Sequence, residues 1–165
     1  METPLEVQIG DLLRARGWKF AAAESCTGGL LGHRITNVPG SSDYYMGSVT
    51  AYAYEAKERL LGVRHETLAC FGAVSPETAF EMARGIRAAL GAEIGVSITG
   101  IAGPGGGMPN KPVGLVWIGL STPTADYVYK CQWHGDRLQN KESSAQAALE
   151  LTIAYLNGQP RPSDA

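Results

Sequence analysis

Apolar residues recur in two rhythms along the chain, and the alternation between them predicts the elements. Residues 5–16 place Leu5, Ile9, Leu12 and Leu13 on one face, the spacing of an amphipathic helix, and Gly17 follows as a C-cap. Residues 18–23 are a short, mostly apolar strand candidate. They run into Glu24-Ser25-Cys26-Thr27-Gly28-Gly29, after which residues 30–35 have helical spacing. Pro39-Gly40-Ser41-Ser42 is loop punctuation. Residues 44–52, rich in Tyr, Val and Thr, predict a second strand, and residues 55–61 return to helical spacing before Gly62. Ser75-Pro76-Glu77 marks a helix start, with Ser as N-cap, Pro at the first helical position and an acid in the first turn. That helix extends to Leu90 and stops at Gly91.

Residues 94–98 form a buried-type strand, followed by a glycine-rich loop over 100–107. Residues 113–121 and 127–133 predict two further strands, a hairpin around Pro123, and residues 137–156 a long closing helix. Helices and strands in alternation imply an α/β fold, a three-layer α/β/α sandwich. The two adjacent last strands make its central sheet mixed rather than purely parallel. The expected domain covers residues 5–157, and residues 158–165 are a polar, Pro-containing tail.

Composition narrows the function classes. The 165 residues, 44% hydrophobic and 18% charged, suffice for one domain with a real core. A net charge of -2, a pI near 5.9 and the absence of any Lys/Arg run argue against a nucleic-acid partner, while leaving room for a pocket that takes one phosphate. Cys26, Cys70 and Cys131 are widely spaced and odd in number, which suggests neither a disulfide framework nor a zinc ribbon. A reducing, cytoplasmic location is expected. Residues 1–10 lack the apolar stretch of a secretory signal. No run approaches the roughly 20 apolar residues that span a bilayer, so no membrane partner is expected.

Three segments could carry chemistry. In 24–29, a Ser or Cys at a strand end, followed by Thr-Gly-Gly and a helix, would expose a nucleophile beside free backbone N–H groups able to hold an oxyanion or phosphate. Equally, Ser25 and Thr27 could simply cap the helix. In 50–57, Lys57 opens a helix after an apolar strand. A lone lysine there is ordinarily a solvated charge; acting as a base, it would need its pKa of about 10.4 lowered to roughly 7–8 by a dry pocket. The third segment, 97–107, matches neither a Rossmann fingerprint nor a Walker loop. It is either a flexible turn or a loop whose backbone approaches a ligand, with Thr99 offering a hydroxyl. His33, His65 and His134 have no metal-ligand spacing, and Gly-x-Ser-x-Gly is absent. Cys26 rivals Ser25 as nucleophile, but neighbours on a strand face opposite ways, so only one can face a site.

Taken together, Glu24-Ser25-Cys26-Thr27-Gly28-Gly29, residues 52–57, Gly72-Ala73-Val74-Ser75, residues 99–106, Lys111-Pro112-Val113-Gly114 and Gly135-Asp136-Arg137 resemble, in order and spacing, the CinA C-terminal domain family of nicotinamide-nucleotide amidases. The resemblance covers roughly residues 5–156. It implies metal- and cofactor-free hydrolysis of nicotinamide mononucleotide, a small-molecule nucleotide, to nicotinate mononucleotide and ammonia. By the resemblance, Ser25 is the nucleophile, Lys57 its general base, and Tyr52 a nearby hydroxyl that relays protons or orients Lys57. Thr27, Gly28, Gly29, Tyr54, Thr99, Gly100 and Gly103 belong to the substrate site, with Arg137 as a phosphate or carboxylate contact through its bidentate fork. A homodimer or higher homo-oligomer is also implied. Two positions depart from the family pattern. Tyr54 stands where an Asn is usual, and Lys141 where an Arg is often found. The nucleotide-binding domain that precedes this one in longer relatives is missing, so no activity located there is expected. Tyr54 is also the feature that favours the alternative, a non-catalytic nucleotide- or partner-binding module of the same fold.

Overall fold

The computed structural model describes residues 1–165. Six α-helices and five strands follow in the order α1 (Leu5–Arg16), β1 (Phe20–Glu24), α2 (Leu30–Thr36), β2 (Tyr45–Thr50), α3 (Tyr54–Leu61), α4 (His65–Phe71), α5 (Pro76–Leu90), β3 (Ile94–Gly100), β4 (Leu115–Ser121), β5 (Asp126–Gln132) and α6 (Arg137–Leu156). The sheet order is β2-β1-β3-β4-β5. β1 runs parallel to both β2 and β3, while β3–β4 and β4–β5 are antiparallel, so the sheet is mixed.

Strand alternation sorts the core into two layers. Phe20 and Ala22 of β1, Ile94, Val96 and Ile98 of β3, and Val116, Ile118 and Leu120 of β4 pack on α1, α2 and α6 through Ile9, Leu13, Leu31, Ile35, Ala145 and Leu149. On the opposite face, Ala21 and Ala23 meet Leu61, Leu68, Met82 and Ile86 of α3, α4 and α5. Helix α5 lies unusually close to the sheet because that face is floored with small residues. A Cβ on Gly119 would come 2.4 Å from the Ala79 carbonyl oxygen, and one on Gly95 2.4 Å from that of Ala83. Between them the Ser97 hydroxyl donates to the Ala79 carbonyl at 2.6 Å, so its buried oxygen is satisfied.

From β1 the chain leaves through α2 on one face to reach β2, then crosses by α3, α4 and α5 on the other face to reach β3. The chain leaves β1 towards β2 on one side and leaves β3 towards β4 on the other, so the two connections diverge beyond the carboxyl ends of β1 and β3. This is the topological switch point at which open α/β sheets form a crevice. β1 extends one residue beyond its expected end, to Glu24, and β3 two residues, to Gly100.

Two further features are not in the sequence reading. Helix α4 is absent from it, because only Thr67 and Leu68 of its seven residues are buried and no apolar stripe marks it; Gly72, at φ 77°, ends the helix. Residues 158–165 carry no regular structure, but they are tied to the edge of the sheet. Asp164 donates its N–H to the Val128 carbonyl at 2.8 Å, Ser163 Oγ accepts the Val128 N–H at 3.0 Å, and the Asp164 carboxylate accepts the Lys130 N–H at 2.8 Å. Part of the β5 edge is thereby covered, which hinders pairing with another chain.

Candidate active site

The turn after β1 distributes three consecutive side chains to three environments. Glu24, wholly buried, points to the α2 layer. One carboxylate oxygen accepts the Thr27 hydroxyl at 2.7 Å and the Leu31 N–H at 2.8 Å; the other accepts the Gly32 N–H at 3.1 Å. The N-terminus of α2 is thus occupied by an anion of the chain itself, where the sequence suggested room for an oxyanion or phosphate. Gly28 spends its N–H on the Ser25 carbonyl at 3.1 Å, and its φ of 62° with that of 106° at Gly29 is the reason for the Gly-Gly pair. The N–H groups of Cys26, Thr27 and Gly29 form no hydrogen bond within the chain. Neither Ser25 nor Thr27 caps α2, whose N-cap is Gly29.

Ser25 prolongs β1 by donating its N–H to the Ile98 carbonyl at 2.9 Å. Its hydroxyl meets Lys57, which stands on the first turn of α3 just past the end of β2. Lys57 is 1% exposed, and its Nζ donates to Ser25 Oγ at 3.0 Å, the Ala51 carbonyl at 2.9 Å and the Tyr52 carbonyl at 2.9 Å. Ala51 is held in turn by its N–H on the Glu24 carbonyl at 2.9 Å. Three acceptors match the three N–H bonds of an ammonium. In the neutral amine, two N–H bonds on the two carbonyls leave the lone pair for the serine hydroxyl. Burial lowers the Lys57 pKa to about 8, because desolvation penalises the charged form. Cys26 goes the other way. Its side chain packs in the core with α2 and α6, and burial raises its pKa to about 12, so it remains a thiol.

A cavity of about 260 Å³ opens over this pair. Among the residues singled out from the sequence, it brings together Ser25, Tyr52, Lys57, Thr99, Gly100, Gly103 and Arg137, and Cys26 also touches its lining. Thr27, Gly28, Gly29 and Tyr54 do not line it. Tyr52 holds Lys57 through its backbone carbonyl. Its hydroxyl instead accepts from Arg137 Nη2 at 3.3 Å, away from the lysine it was expected to approach. Arg137 Nη1 donates to the Gly103 carbonyl at 2.7 Å, so the guanidinium closes the rim between Tyr52 and the glycine loop. The Thr99 hydroxyl, 1% exposed, donates to the Ala73 carbonyl at 2.8 Å. The Tyr54 hydroxyl accepts the Ala73 N–H at 3.2 Å.

Asn140 was not anticipated. This buried amide donates to the Ala102 carbonyl at 2.9 Å and the Gly135 carbonyl at 3.1 Å, and accepts the Gly135 N–H at 3.0 Å, tying the glycine loop to the start of α6. The Asp136…Gln139 capping box beside it was the available signal. Lys141 makes no hydrogen bond or ion pair, and a Cβ on Gly28 would lie 3.7 Å from its Nζ. No group of three or more His, Cys, Asp or Glu side chains is placed to hold a metal ion, and no helix is long and apolar enough to cross a membrane.

Fold and site together define an α/β protein with a buried Ser–Lys pair at the carboxyl ends of neighbouring parallel strands. The model of the CinA C-terminal domain matches residues 2–156, and the chain belongs to that family. A CinA-like protein of Salinibacter ruber is 54% identical over 149 residues, covering 90% of this chain and 36% of the relative. A CinA-like protein of Chloroherpeton thalassium is 51% identical over 160 residues, covering 94% and 38% respectively. The chain therefore spans little more than a third of the length of these curated relatives. Among solved structures, a CinA superfamily protein from Klebsiella pneumoniae superposes with a TM-score of 0.90 at 33% identity, over 93% of this chain and 96% of that one. A competence/damage inducible protein from Agrobacterium tumefaciens gives 0.88 at 36%, over 95% and 99%.

Proposed function

We propose that the chain is an amidase that hydrolyses the carboxamide of nicotinamide mononucleotide to nicotinate mononucleotide and ammonia. One observation carries the reading: a lysine only 1% exposed, its pKa brought down to about 8, with Nζ 3.0 Å from a serine hydroxyl at the floor of a cavity. Neutral Lys57 takes the Ser25 proton as Oγ attacks the carboxamide carbon. Of the unpaired N–H groups in the turn, that of Cys26 belongs to a residue lining the cavity and is the candidate to receive the developing oxyanion. As the C–N bond breaks, Lys57 returns the proton to the departing nitrogen, which leaves as ammonia. Water then attacks the acyl-serine, giving its proton to Lys57, and the acid departs as Ser25 recovers its hydroxyl.

Arg137 at the rim supplies a cation for the nucleotide phosphate, and a cavity of about 260 Å³ suits a small molecule rather than a polymer. Tyr54, the residue that favours a non-catalytic module, lies outside the cavity lining, which supports the catalytic reading. The test is ammonia release from nicotinamide mononucleotide by wild type and Ser25→Ala. Release by wild type, abolished in a folded Ser25→Ala variant, is expected. Wild-type protein that binds the nucleotide and releases no ammonia defeats the proposal.

A further inference from the structure

The connector between α4 and α5 supplies Ala73 and Val74 to the cavity that holds Ser25. Three side chains from three separate elements grip the backbone from the last residue of α4 into this connector. Lys111, from the loop between β3 and β4, donates to the Phe71 carbonyl. Thr99, on β3, donates to the Ala73 carbonyl at 2.8 Å. Tyr54, at the start of α3, accepts the Ala73 N–H at 3.2 Å. The intervening Gly72 carbonyl accepts the Thr78 hydroxyl at 2.7 Å and the Ser75 hydroxyl at 3.0 Å. Successive peptide groups of a loop, which could otherwise drift, are therefore individually bonded. Gly72 fits this crowding, since a Cβ there would stand 2.9 Å from Lys111 Nζ and 3.7 Å from the Tyr54 hydroxyl.

Tyr54 is 48% exposed and has no place in the core, so its ring is not there to fill space. Its polar tip reaches one backbone N–H, and that N–H belongs to a residue of the cavity wall.

We propose that Tyr54 is a positioning residue that, with Thr99 and Lys111, fixes residues 71–74 as a rigid wall of the Ser25 cavity and thereby sets how tightly an amide substrate is held. The proposal rests on the amidase reading for its substrate, although the clamp itself does not. Tyr54 acts on binding and not on proton transfer, because its hydroxyl bonds Ala73 and not Ser25 or Lys57, and it does not line the cavity.

The experiment compares wild type with Tyr54→Phe, which keeps the half-exposed ring and removes only the hydroxyl. Amide exchange at Ala73 should quicken roughly three- to tenfold, the range expected for loss of one hydrogen bond. The KM for nicotinamide mononucleotide should rise by a similar factor, with kcat within about twofold and the pH profile unmoved. Calorimetric Kd values for the same nucleotide, taken in a Ser25→Ala background, should rise with KM. Lys111→Met, which frees the Phe71 carbonyl, should shift Kd in the same direction. Unchanged exchange at Ala73 overturns the clamp. Faster exchange with unchanged KM and Kd, or a fall in kcat alone, overturns the role in substrate holding. Failure of wild type to release ammonia defeats the amidase reading instead, and exchange and Kd still decide this proposal.

Discussion

Replacing Lys57 by Met tests the buried amine through stability as well as activity. The side chain has an ordinary pKa of 10.5 in the unfolded chain and about 8 in the folded protein, where burial penalises its charge. Below pH 8 both states carry the proton, and the cost of burying the charge is fully present. Between about 8 and 10.5 the unfolded chain holds a proton that the folded protein has lost, so stability rises with pH. Above 10.5 both are neutral and the cost is gone. At 1.36 kcal/mol per pH unit, the drop from 10.5 to about 8 amounts to about 3 kcal/mol. In a total stability of roughly 5–15 kcal/mol this is a large concession to keep one amine beside a serine. Urea unfolding of wild type and Lys57→Met at a series of pH values isolates it, because the other titrations largely cancel in the difference. The hydrogen bonds to Ser25, Ala51 and Tyr52 that Met loses, each about 0.5–1.5 kcal/mol, shift the difference but hardly its slope. Wild type should gain about 3 kcal/mol on the variant between pH 7 and 10.5. In parallel, wild-type kcat/KM should climb through about pH 8, as the free base forms, and vanish in Lys57→Met. A stability difference that stays flat over this range would refute the depressed lysine and, with it, the base.

Two further substitutions probe the neighbours of Ser25. Cys26→Ala should leave ammonia release within a few-fold of wild type, and iodoacetamide at pH 8 should modify the exposed Cys70 well before Cys26, whose pKa is about 12; lost activity in a folded Cys26→Ala protein would make the thiol the nucleophile. Glu24→Gln should lower stability by about 2–4 kcal/mol, because an amide must turn its NH2 toward the Leu31 or Gly32 N–H donors that the carboxylate now satisfies. Thermal unfolding reads this directly, and an unshifted Tm would show that Glu24 is not what holds the turn.

The parts of the fold legible in the sequence are those written in local signals. Helices α5 and α6 announce themselves by a Ser-Pro-Glu start and a long apolar period, and the strand pair β4–β5 by two β-rich runs around a proline. The sandwich with a mixed sheet follows from that order alone. Helix α4 escapes because it buries only the adjacent Thr67 and Leu68, whereas the equally short α2 shows its apolar face at Leu31 and Ile35. The tail's hold on β5 escapes because its partners lie more than thirty residues away in sequence. At the site, resemblance selects Ser25 and Lys57 while spacing leaves each with a plain alternative. What neither supplies is direction. Tyr52 acts on Lys57 through its carbonyl, Tyr54 reaches the cavity wall at Ala73 from outside the lining, and the partners of the buried Glu24 and Asn140 are set only by the folded chain.

The serine gains its position from an alternation that begins inside β1. Glu24 and Ser25 are consecutive at the end of a strand, so they must project to opposite faces of the sheet. On the α2 side, the Glu24 carboxylate fills the helix N-terminus and holds the turn that follows. On the other side, Ser25 faces the layer that carries Lys57, Ala73 and Thr99. The Glu24 backbone carbonyl joins the two faces, because it fixes Ala51, whose own carbonyl orients Lys57. A carboxylate on one face and an amine on the other are thus linked through the Glu24 carbonyl and Ala51, while the sheet keeps the Glu24 side chain on the opposite face from the amine. With its carboxylate satisfied by Thr27, Leu31 and Gly32, Glu24 has no need of Lys57 as an ion-pair partner. That is a condition for burial to depress the lysine's pKa, since a carboxylate in contact would have raised it.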